Sequence, residues 1–230
     1  MFRLVVAWCA GSKQCQIVTQ RDPTGLFVCN FALSLFEDMN VSEILEVATC
    51  KQLREWFEQH HATSDEVWVV CSRKRQAQDG TLPYFDVVYE ALCFGWIDST
   101  VKYTNGRTLQ RLTPRRNGSN WTELNKERCR MLESEGRMTD AGRAVAPDLR
   151  AEFIIDNDIM REILDDTAVA SNFAQLPDLY KRVKIGNIQM KRSNAQMFRR
   201  RLDRFIEATR LGKMYGEWND GGKLLSKSAK

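Results

Sequence analysis

Three arginines close together, Arg111, Arg115 and Arg116, surround a Thr113-Pro114 step, and a serine, Ser119, follows shortly after. Guanidinium forks match phosphate and carboxylate oxygens in pairs, so this grouping is suited to holding an anion. Pro114 stiffens the presentation. The helix predicted to start at Ser119 and Trp121 adds free backbone N–H groups and the positive end of its dipole. Trp96 and Trp121 flank the arginines in sequence. They either shape a pocket and stack on a ring, or belong to the core. Asp98 lies just upstream and either binds a cationic group or pairs with Arg111 or Arg115. The expected ligand site is therefore Trp96, Asp98, Arg111, Arg115, Arg116, Ser119 and Trp121.

Two carboxylates could instead work as a general acid or base. Glu90 interrupts an apolar run, and burial would raise its pKa into a useful range; a half-exposed side chain is the plainer expectation. Asp98 is the other candidate. Cys93 is near Glu90, but a nucleophilic thiol needs a base, and His60 and His61 are the chain's two histidines, far away in sequence. An inert buried thiol is expected there. The seven cysteines include no Cys-x-x-Cys pair, and with the two adjacent histidines they offer no zinc-ligand spacing. No metal and no cofactor is implied, and the scattered thiols fit a reducing compartment.

The bulk properties set wide bounds. The 230 residues are 43% apolar with a net charge of +4, a mean hydropathy of -0.43 and a pI near 8.7. That length suffices for one or two domains with a proper core. No run approaches the ~18–20 apolar residues of a membrane helix, so no transmembrane segment is expected. The mild positive charge permits nucleic-acid binding without favouring it. Arg182, Lys184, Lys191, Arg192, Arg199, Arg200, Arg201, Arg204 and Arg210 concentrate that charge towards the C-terminus. A face of this kind could meet nucleic acid or an anionic membrane, although Asp203 and Glu207 are interspersed as in a solvated helix.

The elements that must carry these residues are partly legible. Thr49 and Gln52 form a capping-box pair before Leu53, Trp56 and Phe57, whose spacing predicts an amphipathic helix. Val67 to Cys71 reads as a central strand, apolar on both faces. Pro83 suits a first helical turn, and the stripe from Val87 to Trp96 predicts a helix ending near Asp98 and Ser99, with Gly95 admitting a strand. Asn105-Gly106 between two β-rich runs predicts a tight hairpin, which Pro114 ends. Ser119 is expected to cap the following helix, Gly136 to stop it, and Thr139 to cap a short turn. Beyond Pro147 the chain reads as a hinge and then as helices, broken at Pro177. The last is a long basic helix from Ser193 to Leu211, with Phe198, Leu202, Phe205 and Ile206 as its stripe. The fold class expected is α+β, a small mixed domain with a central strand and a β-hairpin packed by helices, followed by a mostly helical C-terminal part.

Residues 1–38 read unlike the rest, with a Pro23-Thr24-Gly25 break and no sustained period. They are expected to be a variable or disordered extension, or the product of a start site upstream of Met39. The short apolar run from Leu4 to Ala10 is a weak export signal. The expected division is thus 1–38, an α+β domain over 39–146, a helical region over 147–219 and a disordered tail over 220–230. A cytoplasmic location is expected, or a periplasmic one if the extension directs export.

Several ordered blocks carry a resemblance: Ala91-Leu92-Cys93-Phe94-Gly95-Trp96-Ile97-Asp98, Thr113-Pro114-Arg115-Arg116, Ser119-x-Trp121 with Asn125, and Gly136-Arg137-Met138-Thr139-x-Ala141-Gly142. Asn187-Ile188-Gln189 and Lys213 to Asp220 add to them. Over residues 41–219 the chain resembles the YdeI/OmpD-associated, or bacteriocin-protection, family, in its longer YdeI form. The resemblance implies a bacterial protein linked to stress and to resistance against bacteriocins and cationic antimicrobial peptides. It carries no agreed catalytic residues. A net positive chain is a poor direct trap for cationic peptides, so the implied link is indirect. The function expected is binding of an anionic small molecule or anionic partner, with an enzyme at the same cleft or a nucleic-acid binder as alternatives.

Overall fold

The computed structural model describes residues 44–74, 80–116 and 118–225, together with the backbone of three short strands nearer the N-terminus. Those strands, β1 (Val5–Ala7), β2 (Gln16–Gln20) and β3 (Leu26–Phe27), pair antiparallel in the order β1-β2-β3. The rest of the segment read above as an extension lies outside the described residues. Contacts divide the chain into two units, Met1–Val41 and Ser42–Lys230.

The second unit is α+β. Its strands are β4 (Ile44–Leu45), β5 (Val67–Ser72), β6 (Leu82–Pro83), β7 (Trp96–Thr104) and β8 (Arg107–Pro114). They run in the order β4-β5-β8-β7, and β6 pairs with the far end of β5. β5 is central, parallel to β4 and β6 and antiparallel to β8. Its residues Val67 to Cys71 are all buried, which is why the strand reads as an unbroken apolar run. β7 and β8 form the expected hairpin, longer than its β-rich runs alone indicated. Asn105 and Gly106 both take positive φ, 50° and 75°, as a type I′ turn requires.

Helices α1 (Cys50–His60) and α2 (Tyr84–Cys93) cover one face of the sheet. The Thr49 capping box is present in full: the Thr49 hydroxyl accepts from the Gln52 N–H, and the Gln52 side chain accepts from the Thr49 N–H. Leu53, Trp56 and Phe57 are buried against Val67, Val69 and Leu112 in the first core. α2 stops at Cys93, earlier than the apolar stripe indicates. Gly95 takes a φ of 75°, and the chain reverses there into β7. Trp96 and Asp98 therefore stand on a strand, not on the last turn of a helix.

α3 (Glu123–Ser134) and α4 (Asp140–Val145) complete this part. Thr122, not Ser119, caps α3; its hydroxyl accepts from the Asn125 N–H at 3.2 Å. Thr139 caps α4 as expected, and its hydroxyl also donates to the Cys93 carbonyl at 2.6 Å. What approaches Gly95 is this helix and not a strand: a Cβ there would lie 2.7 Å from Val145 and 3.0 Å from the Ala141 carbonyl.

The C-terminal region is helical: α5 (Asn157–Leu164), α6 (Thr167–Gln175), α7 (Asp178–Gln189) and α8 (Ala195–Arg210). They enclose a second core that includes Ile159, Ile163, Val183, Leu202 and Phe205. Met131 of α3 packs against both cores. The tail does not begin at residue 220. A 3-10 turn over Asp220–Gly222 buries Asp220, and Leu224 joins the second core. No helix among the described residues is long and apolar enough to cross a membrane.

Candidate functional site

The loop from β8 to α3 holds the most exposed chemical question in the first core. Pro114 pairs with Trp96 across the hairpin, and the Arg115 N–H donates to the Gly95 carbonyl at 3.0 Å. This pins the loop to the α2–β7 turn and sends the Arg115 side chain inward, where it is 6% exposed. Its guanidinium carbon lies 3.6 Å from the centre of the Trp121 ring. One nitrogen, Nη1, reaches the Asn120 carbonyl at the long distance of 3.5 Å. Among the described residues, Nε and Nη2 have no partner, and neither has the buried Ser119 hydroxyl in the same loop. Burial pulls the Arg115 pKa down to about 10, against the opposing influence of Cys129 and Asp98. The group is still a cation at neutral pH, shielded from water and paired with no carboxylate.

Such an arrangement is unfavourable when empty. A buried ion without a partner costs several kcal/mol, and stacking on an indole returns only about 2 kcal/mol. Two N–H donors and a hydroxyl, with a flat ring behind them, form a receptor for oxygen atoms carrying negative charge.

Three of the expected site residues thus come together: Arg115, Ser119 and Trp121. The others do not join them. Arg111 faces Glu66, donating from Nε at 2.6 Å and from Nη2 as well, because its strand position directs it beside Trp68. Arg116 is exposed. Trp96 is a core residue: its indole N–H donates to the His61 carbonyl at 3.2 Å, and its ring packs edge-on to Trp56 and Phe57. Asp98 pairs with neither arginine. It accepts from the Tyr84 hydroxyl at 2.7 Å, and burial, followed by the Asp98 charge, raises the Tyr84 pKa. Arg73 lies over the Tyr84 ring at 4.1 Å and donates to Gln110 at 3.0 Å. Neither Arg73 nor Tyr84 stood out in the sequence, since no local motif marks a stacked pair.

Glu90 differs from the half-exposed side chain expected. It is buried, with Arg137 on one oxygen at 2.5 Å and Arg54 on the other at 3.2 Å. Two guanidinium groups fix it as a charged structural bridge. Burial pushes the Cys93 thiol up to about 11, in line with an inert role.

A second buried network was missed altogether. Arg128 of α3 grips both oxygens of Asp220 at 2.7 Å and donates to Asn125 at 2.7 Å, while the Tyr89 hydroxyl donates to Asp220 at 2.8 Å. Each guanidinium nitrogen has an acceptor and the charge meets a carboxylate, so this network fastens the chain instead of awaiting a ligand.

Fold and site together define an α+β protein whose strand-to-helix loop buries an uncompensated guanidinium. Residues 45–145 match the family described as a domain of unknown function (DUF8412). The match covers the five-stranded sheet from Leu45 and helices α1 to α4, and so includes Arg115, Ser119 and Trp121. Neither the curated proteins nor the solved structures yield a match to the chain.

Proposed function

We propose that the chain is a binding protein for an anionic small molecule, or for an anionic group on a partner, received at Arg115, Ser119 and Trp121. The observation that carries this reading is the buried Arg115 guanidinium with two donors and no counter-charge. The resemblance to the bacteriocin-protection family supports placing this binding in bacterial stress or antimicrobial-peptide resistance, in the cytoplasm. There it acts indirectly, because a chain of net charge +4 repels cationic peptides. The acid/base alternative loses support at Glu90, whose two oxygens are held by arginines. The nucleic-acid alternative is weakened where Arg199 and Arg210 of the basic helix are paired with acids, and it rests on the remaining arginines of that helix, Arg200, Arg201 and Arg204.

The test is a thermal-shift screen of the full chain against nucleotides, sugar phosphates, dicarboxylates and lipid head groups. A ligand bound only by the native state raises the midpoint by mass action, by about 2.7 kcal/mol of stability at a hundredfold excess over Kd. The expected result is a stabilising anion whose effect disappears in Arg115→Met. A panel without a hit, or a hit that survives that substitution, overturns the assignment.

A further inference from the structure

A different cluster of cations, in the helical region, converges on a cavity of its own. Lys184 lies in the middle of α7, Arg201 and Arg204 stand one turn apart on α8, and Tyr215 follows that helix. With Asn187 they line a cavity of about 290 Å³. Lys184 is only 8% exposed, and its ammonium donates to the Glu217 carbonyl at 3.3 Å. One such bond leaves donors of this three-donor group for something else. Arg201 donates to the Asn187 carbonyl at 2.6 Å, and Arg204 lies over the Tyr215 ring at 4.4 Å. Lys184 approaches the same ring at 4.8 Å.

No carboxylate comes within ion-pair distance of these three among the described residues. Three nearby arginines contrast with them. Arg192 is held by Asp156 and Asp158, Arg199 by Glu162 and Asp203, and Arg210 by Asp166 and Glu207. Glu217, the nearest acid along the chain, turns Oε1 to the backbone N–H groups of Trp218, Asn219 and Gly221. Gly216 keeps the lysine's place open: it has a φ of 63°, and a Cβ there would stand 3.2 Å from the Lys184 nitrogen. Burial, and then the charge of Arg204, pull the Lys184 pKa down, against the opposing charge of Glu217.

We propose that this cavity binds the phosphate group of a small phosphorylated molecule, held by Lys184, Arg201 and Arg204. A phosphate monoester has close to two charges and three acceptor oxygens, which match three converging cationic donors better than one carboxylate does. The volume lies at the small end of ligand pockets, which suits a compact metabolite. The site shares no residue with the Arg115 loop and stands or falls separately from it.

The experiment is calorimetric titration of the full chain with inorganic phosphate, with acetate and chloride as controls at equal ionic strength. Phosphate is expected to bind, acetate and chloride to give no comparable heat. Arg204→Gln should weaken phosphate about tenfold or more, since it removes a charge-assisted bond. Arg204 is exposed, so the substitution leaves the fold intact. Lys184→Met should abolish binding. The proposal is overturned if phosphate does not bind, if chloride reproduces the heat, or if Arg204→Gln binds like the parent. It is equally overturned if only anionic vesicles or single-stranded RNA bind.

Discussion

Arg115 and Arg128 are both buried arginines, and they have opposite consequences. Arg128 is paired with the Asp220 carboxylate and bonded to Asn125. Replacing Asp220 by Asn strips the charge from a buried pair and should cost about 3–5 kcal/mol in urea unfolding. Arg115 has no such partner, so Arg115→Met, which keeps much of the volume and removes the charge, should leave the ligand-free protein as stable as the parent or more so. A loss of 2 kcal/mol or more in the same assay would mean that the guanidinium is compensated in solution. The thiols give a third expectation. Burial pushes Cys71 and Cys93 up to about 11 and Cys129 up to about 12. At pH 8 all three are neutral and covered, so iodoacetamide should label them only after unfolding, as mass spectrometry of peptides can show. The arginine group was legible in the sequence as a group, but its division was not. Arg111 and Arg115 are close in the chain, yet strand pairing directs one to Glu66 and the loop turns the other inward. Asp220 as the partner of Arg128 left no local trace, because the two are 92 positions apart.

Among the elements, short-range chemistry was the legible part. The Thr49 capping box, the Asn105-Gly106 turn and the Thr139 cap each depend on residues within a few positions, and each formed as expected. Boundaries that depend on packing were less visible. The apolar stripe of α2 continues to Trp96, but the helix ends at Cys93 because α4 docks there. Ser119 and Thr122 are both able to cap a helix, and the loop around Trp121 decides for Thr122. The contact between α2 and α4 can be tested at Gly142. A Cβ on that residue would lie 2.2 Å from the Cys93 carbonyl, which is backbone and cannot swing aside. Gly142→Ala should therefore force α4 off the end of α2. A strong loss of stability, at the upper end of the range for single substitutions, is expected by thermal unfolding. An unchanged midpoint would mean that α4 is not seated there.

For the whole molecule, two cores share one stabilising joint. Met131 touches both, and Asp220 ties the far end of the helical region to α2 and α3. The domain edge expected near residue 146 is thus a change in architecture that the packing spans. Acid should loosen the helical half modestly. Hydrogen bonding from Arg192 holds the Asp158 carboxyl down to about 2, and Lys181 lowers Asp178 in the same way. A depressed carboxylate contributes stability above the unfolded value of about 3.9, and that contribution is lost as pH falls through about 2. These groups are exposed, so the effect is small and screened by salt. Urea midpoints at pH 5 and pH 2.5 should differ in that direction, and less so in 0.5 M salt, a concentration well above the ~0.1 M at which exposed charges are already screened beyond about 10 Å.

The Arg128–Asp220 clasp also sets a clock on biosynthesis. A ribosome adds about 5–20 residues each second, so Asp220 follows Arg128 by roughly 5 to 20 s. Through that interval the Arg128 guanidinium lacks its Asp220 partner, and the surface that later buries it stays wet. The sheet and its helices can gather early, but they cannot close. Completion waits for a late-made aspartate, and a nascent chain paused before it would present an unfinished seam to chaperones and proteases.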